Sequence, residues 1–268
     1  MNMHTLHLRL HPAKATGLRM NPRRLLALGR SELTLLVRNR ATLTMALLMP
    51  LVMVFILRSS LTGIDGAAAL GEATLTGGIG LVLALVVYMS LVSAYVARRE
   101  ELVLKRLRTG EANDLEILAG TALPAAVLAL CQVVVLAVAG AIALDVRMPR
   151  NPLLLVAAVL GGIVILAAMA ALTSSFTRTV ESAGLTTLPL FLVTALGSGL
   201  FVPVDSLPDS VARVCELLPL SGVMELVRAG WSGGAAGGDL LGSAVSELAW
   251  IMITLFAVQR WFRWEPRR

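Results

Sequence analysis

Six apolar stretches, each about as long as a bilayer is thick, decide what this chain can fold into. They cover about residues 41–57, 74–97, 117–144, 153–173, 183–202 and 240–259. A helix of about 20 apolar residues crosses the roughly 30 Å of hydrocarbon. The first stretch, bracketed by Arg40 and Arg58, is close to the lower limit. Pro50 inside it and Pro124 near the start of the third read as kinks, which membrane helices tolerate. Composition agrees: 57% of the 268 residues are hydrophobic while only 4% are aromatic, so the excess lies in aliphatic side chains. Lipid-facing surfaces require that excess, whereas soluble domains stop at about 45–50% apolar. The expected fold is therefore an all-α polytopic membrane protein with six transmembrane helices.

Charge sets the orientation. With the N-terminus inside, 18 of the 23 Lys and Arg residues fall in inner segments, and Arg58, Arg147, Arg150, Arg213 and Arg228 remain outside. This is the positive-inside asymmetry, and six spans then return the C-terminus to the cytoplasm. Residues 1–20 read as a flexible cytoplasmic tail rather than a secretory signal, because many arginines precede the first apolar run. Cys131, mid-block, is expected to be buried, and no disulfide to Cys215 is expected. The net charge of +6 sits between apolar blocks, which fits topology better than nucleic-acid binding.

Several chemistries are missing. His4, His7 and His11 are the only histidines, so Gly197-Ser198-Gly199 has no partner for nucleophilic catalysis. Neither lysine, Lys14 or Lys105, stands in a phosphate-binding loop, so the chain is not expected to bind ATP or to be an enzyme by itself. The apolar blocks read as free of acids and bases at depth, with Glu116 and Glu181 at their edges. That argues against a carrier driven by its own proton or sodium coupling.

Three stretches between or beside the spans carry the remaining information. Residues 21–40 read as an amphipathic interfacial helix, with Arg24, Arg30, Glu32 and Arg38 toward its polar side. Residues 98–116 form a basic inner loop with Arg99, Lys105, Arg106 and Arg108. After Gly110, Asn113 or Asp114 caps a short new helix through Leu115, Glu116, Ile117 and Leu118. Residues 203–238 are too polar to span. Pro203, Pro208 and Pro219 divide them into two short helices that dip into the outer leaflet, with Glu225 and Arg228 on the second.

Two of these stretches resemble the ABC-2 type transporter permeases, the daunorubicin-resistance-like membrane subunits of ABC exporters. The first is Arg99-Glu100-Glu101 through Lys105-Arg106-Leu107-Arg108, then Leu115-Glu116-Ile117-Leu118-Ala119-Gly120. The second is Ser198-Gly199-Leu200-Phe201-Val202-Pro203, then Leu207-Pro208, Leu218-Pro219-Leu220 and Leu226-Val227-Arg228. The family often has Gly-Thr after the acidic residue, where this chain has Leu102-Val103. The resemblance covers residues 24 to the C-terminus. It implies a permease in a bacterial plasma membrane that exports a hydrophobic drug, lipid or polymer. ATP and Mg would be bound by a partner ABC-type ATPase, with a second permease copy, identical or not, completing the path. Asn113 to Leu118 would be the helix that couples to the ATPase, with Glu116 in contact, and the helix around Arg24 to Arg38 would lie over it. The alternative is a membrane scaffold or regulatory subunit without transport, which would not need the charged loop.

Overall fold

The computed structural model describes residues 29–30, 34, 37–38, 40–61, 67–104, 113–198, 208–233, 237–262 and 264. Among them every regular element is a helix: α1 Arg40–Leu61, α2 Ala67–Val82, a π-helical segment Leu83–Met89, α3 Ser90–Glu100, α4 Asp114–Ala143, α5 Pro152–Phe176, α6 Val180–Gly197, α7 Asp209–Glu216, α8 Ser221–Ser232 and α9 Gly237–Trp261. Helix α2, the π segment and α3 are continuous. Among the described residues five stretches are long and apolar enough to cross a membrane: Leu70–Glu100, Asp114–Ala143, Pro152–Phe176, Val180–Gly197 and Gly237–Trp261. Helix α1 carries a shorter apolar stretch, Leu43–Ile56. The chain is a polytopic all-α membrane protein. Its outward apolar side chains agree, since Ile142, Leu153, Leu185, Met252 and Phe256 are all exposed on spanning helices, where only lipid or another membrane helix is a suitable neighbour.

Local chemistry explains where several helices begin and bend. Asn151 precedes Pro152, and its Oδ1 accepts the Leu154 N–H at 3.1 Å, which caps α5. Thr179 and Ser182 cap α6 reciprocally. Pro50 sits inside α1. It has no N–H to give the carbonyl four residues back, so that carbonyl, of Ala46, needs another donor. Gln132 of α4 supplies it: its Nε2 donates to Ala46 O at 2.7 Å. The kink expected at Pro50 is thus tied to the neighbouring span.

The π segment has no sequence signal, since Leu83 to Met89 contain neither Gly nor Pro. An i→i+5 turn holds one residue more than an α turn and shifts the hydrogen bonding of the next. Here the Ser90 N–H reaches Leu85 O and Val87 O. Tyr88, inside the segment, meets Thr173 of α5, hydroxyl to hydroxyl, at 3.2 Å.

The core is the second span, wrapped by α4, α5, α6 and α8. Leu75, Ile79, Leu83, Val87, Val92 and Val96 of the second span are fully buried in one cluster with Leu166 of α5 and Val223 of α8. Glycines permit the closest approaches. A Cβ on Gly140 of α4 would strike Leu75 Cδ1 at 2.2 Å, and one on Gly162 of α5 would meet Val223 at 2.8 Å and Leu83 at 3.1 Å.

The described residues correct two expectations about the core. The spans are not free of ionisable groups, because Glu247 lies within α9 and is only 7% exposed. Cys131 is exposed rather than buried. The expected tail, residues 1–20, lies outside the described residues.

Candidate functional site

Two polar assemblies, one at each end of the bundle, interrupt the apolar core. The first gathers the end of α3, the start of α4, the connection between α5 and α6, and the C-terminal residues. This end carries Arg98, Arg99, Arg178 and Arg260. Tyr95 of α3 donates its hydroxyl to Leu118 O of α4 at 3.0 Å. Its ring meets Phe262 edge-on at 6.4 Å, and Phe262 meets Trp264 in the same way at 4.9 Å. One turn further along α3, Arg99 is 1% exposed. Its Nη2 donates to Thr177 O, where α5 ends. A buried guanidinium is costly in an apolar setting, so its donation to a helix-terminal carbonyl is a strong local constraint. It fastens the second span to the α5–α6 connection.

This corrects two readings of the basic loop. Arg99 is a buried tie and not a solvated loop charge. Asn113 to Leu118 is not a separate short helix: Asn113 is the N-cap and Asp114 the first residue of the 30-residue α4. Glu116, also 1% exposed, reaches back so that its Oε2 accepts the Asn113 N–H at 3.0 Å. It therefore caps the span from within. Ile117 and Leu118 are buried, whereas Asn113, Asp114 and Leu115 are half-buried. Of the six residues expected to touch a partner, only these three show surface. Lys105, Arg106 and Arg108 lie outside the described residues.

The expected interfacial helix is described only in part. Residues 29–30, 34, 37–38 and 40 are helical, with Arg30 and Arg38 exposed, while Arg24 and Glu32 lie outside the described residues. Gly29 is buried, and a Cβ there would collide with Leu123 Cδ2 at 2.0 Å. That contact lays Gly29 against the third turn of α4, at Leu123.

Leu102 adds strain to this end. It follows α3 with a φ of 59°, the left-handed conformation that usually belongs to glycine in a helix C-cap. Its side chain is partly exposed, so little burial holds it there. Leu102→Gly is expected to raise the stability of the purified protein by about 0.5–1 kcal/mol, read as a higher melting temperature in detergent.

The opposite end is built on α7 and α8. Pro208 is the N-cap of α7 and Pro219 lies in the turn before α8, so both proline breaks mark helix boundaries; Pro203 lies outside the described residues. Helix α8 runs antiparallel to the first half of α5. Gly230 lies against Leu155, and Val223 lies against Gly162. Seven residues on each helix separate these contacts, about 10 Å of helix. Helix α8 therefore starts near the middle of the bundle and ends where α5 begins. There the N–H groups of Arg150 and Asn151 donate to Trp231 O and Gly230 O at 3.1 and 2.9 Å. At its deep end Ser221 Oγ donates to Cys215 O at 2.6 Å, which ties the start of α8 to α7. Arg228 donates to Glu225 Oε1 and to Ser198 O, both at 2.7 Å, which joins α8 to the end of α6.

Glu247 lies close to the deep end of α8. A Cβ on Gly222 of α8 would meet Ser243 O at 2.9 Å and Ser246 at 3.3 Å, so the first turn of α8 rests on α9 just before Glu247. The Glu247 carboxyl occupies the space a side chain on Gly161 of α5 would take, with Oε1 1.5 Å from that Cβ position. Sequence reading missed it because a single acid barely lowers the hydropathy of a 25-residue helix. Among the described residues no cluster of His, Cys, Asp and Glu is arranged to hold a metal.

A family model described as "ABC-2 type transporter" matches residues 23–231. The match takes in Tyr95, Arg99, Asn113 to Leu118 and Thr177 of the basic end and both short helices, α7 and α8, while Glu247, Phe262 and Trp264 lie beyond it. The search of curated proteins returned no match.

Proposed function

We propose, because this chain belongs to the ABC-2 type transporter family, that this permease subunit is one half of an exporter. On this reading a separate ABC ATPase binds ATP and Mg and supplies the work, and a second permease copy completes the path. The basic end lies in the cytoplasm of a bacterial cell and receives the ATPase. The cargo is a hydrophobic drug, lipid or polymer.

The observation that carries the proposal is the construction of the basic end. Tyr95 bonded to Leu118 O and Arg99 bonded to Thr177 O lock the second span, α4 and the α5–α6 connection into one unit. A push delivered at Asn113 to Leu115 is then carried by α4 itself, which runs as one helix from Asp114 through Pro124 into the span. At the other end, α8 shapes the exit, held on α5 by the carbonyls of Gly230 and Trp231.

The test is co-purification with an ABC ATPase encoded beside the permease. Asp114→Lys reverses a charge on the half-buried first turn without removing the Glu116 cap. It is expected to lower ATPase recovery at least tenfold, about 1.4 kcal/mol, with membrane insertion unchanged. Unchanged recovery together with intact ATP-dependent export would show that the ATPase docks elsewhere.

A further inference from the structure

A cleft of about 330 Å³ opens between α1, the second span and α4. Met49, Pro50 and Ile56 of α1 form one wall, and Val82 and Leu85 of the second span form another. Among the described residues of its lining, Gln132 of α4 is the only polar side chain. That residue is 3% exposed, and its Oε1 is buried without a hydrogen-bond partner.

The geometry fixes what the amide can still do. The Ala46 carbonyl, left without a helical donor by Pro50, takes the Nε2 hydrogen at 2.7 Å. A carbonyl accepts only, so the nitrogen must face Ala46 and the oxygen must face away. Gln132 therefore brings to the lining an acceptor with two unused lone pairs. Buried acceptors are almost always satisfied, and this one belongs to a residue that lines an unfilled apolar space. Among the described residues no charged side chain lines the cleft, so neither a cation nor an anion would find a counter-charge from them.

We propose that this cleft binds a neutral lipophile carrying one hydroxyl or amide N–H, which donates to Gln132 Oε1. Lipid tails alone would fill the space and leave the oxygen unsatisfied. The site stands apart from the docking end and from Glu247, and binding is read without transport, so it does not depend on the export proposal.

The experiment uses the full chain in lipid nanodiscs and a long-chain alcohol bearing a photoreactive diazirine. Its methyl ether, the same molecule without the donor, is the control. The alcohol is expected to label residues 49–56 and 81–86 at least fivefold more than the ether. Gln132→Leu should remove that preference. Leu85→Trp, at an exposed lining position, should block labelling by both while leaving the melting temperature unchanged, which guards against a folding defect in the Gln132 variant. Mass spectrometry of lipids retained through purification provides a second arm: a resident ligand appears there as a hydroxyl- or amide-bearing lipid lost in Leu85→Trp, whereas a transported one is captured only by the added probe. Equal labelling by alcohol and ether, label mapping outside the cleft, or cross-links joining two copies through it would each overturn the proposal.

Discussion

Gly230→Ala is expected to unseat α8 and to destabilise the protein by about 2–4 kcal/mol, with ATP-dependent export falling at least tenfold. The Cβ would come within 2.9 Å of Leu155 N and 3.1 Å of Leu155 Cα. Both are backbone atoms of α5, so neither can turn aside as a side-chain tip would. The helices must separate, and overpacking of this kind costs about 1–3 kcal/mol. Separation also stretches the bonds from Arg150 and Asn151 to Trp231 O and Gly230 O, each worth about 1 kcal/mol. Gly242→Ala is the matched control. A Cβ at that position of α9 meets nothing within 4 Å, and alanine suits a helix interior better than glycine by up to about 1 kcal/mol. Thermal melting in detergent should therefore move down for the first variant and hold or rise for the second. Equal melting of the two would show that α8 is not seated on α5 as described.

Glu247→Lys is expected to do comparable damage by another route. The carboxyl fits because Gly161 leaves its space empty. A lysine brings a longer side chain and a positive charge to the same seat. Helix α5 contributes no acid along its length, and on α8 the single acid, Glu225, is exposed and already paired with Arg228 at 2.7 Å. An unpaired cation at this depth costs about 2.5–3.5 kcal/mol on insertion scales. Yield of folded protein from the membrane should drop severalfold. Glu247→Gln, which keeps the shape and removes the charge, should leave yield and melting close to the parent. If the lysine variant melted like the glutamine variant, Glu247 would have to face water rather than the helix interface.

Long apolar runs and helix caps were legible from residues alone; three-dimensional neighbours were not. Asn113 with Glu116 announces a helix start, and Pro208 and Pro219 announce breaks, because each acts on its own backbone. The same local logic could not tell that the helix starting at Asn113 continues without interruption into a span, since Leu115 to Gly120 fit a docking helix and a membrane helix equally well. Arg99 looks like the loop charges around it. Only the fold brings Thr177 O to its guanidinium, 78 residues along the chain. Glu247 hides between Ser246 and Leu248, and its significance depends on Gly161, which sequence alone cannot pair with it. Leu102 was visible as a departure from glycine, but the reason appears only in its backbone angle.

The π-helical turn at Leu83–Met89 has a consequence for insertions and deletions in this span. A bulge of this kind absorbs one surplus residue, so the helix beyond it keeps its rotational phase. A chain one residue shorter across that segment would close into ordinary α-helix and still deliver Tyr95 to Leu118 and Arg99 to Thr177. The same deletion in α5, where no bulge takes up the difference, would turn everything beyond it by about 100° and carry Thr173 and Thr177 away from their partners. Related chains that differ by a single residue in their second span can thus share one basic-end assembly, and an alignment gap there would mark a change of local winding rather than a loss of fold.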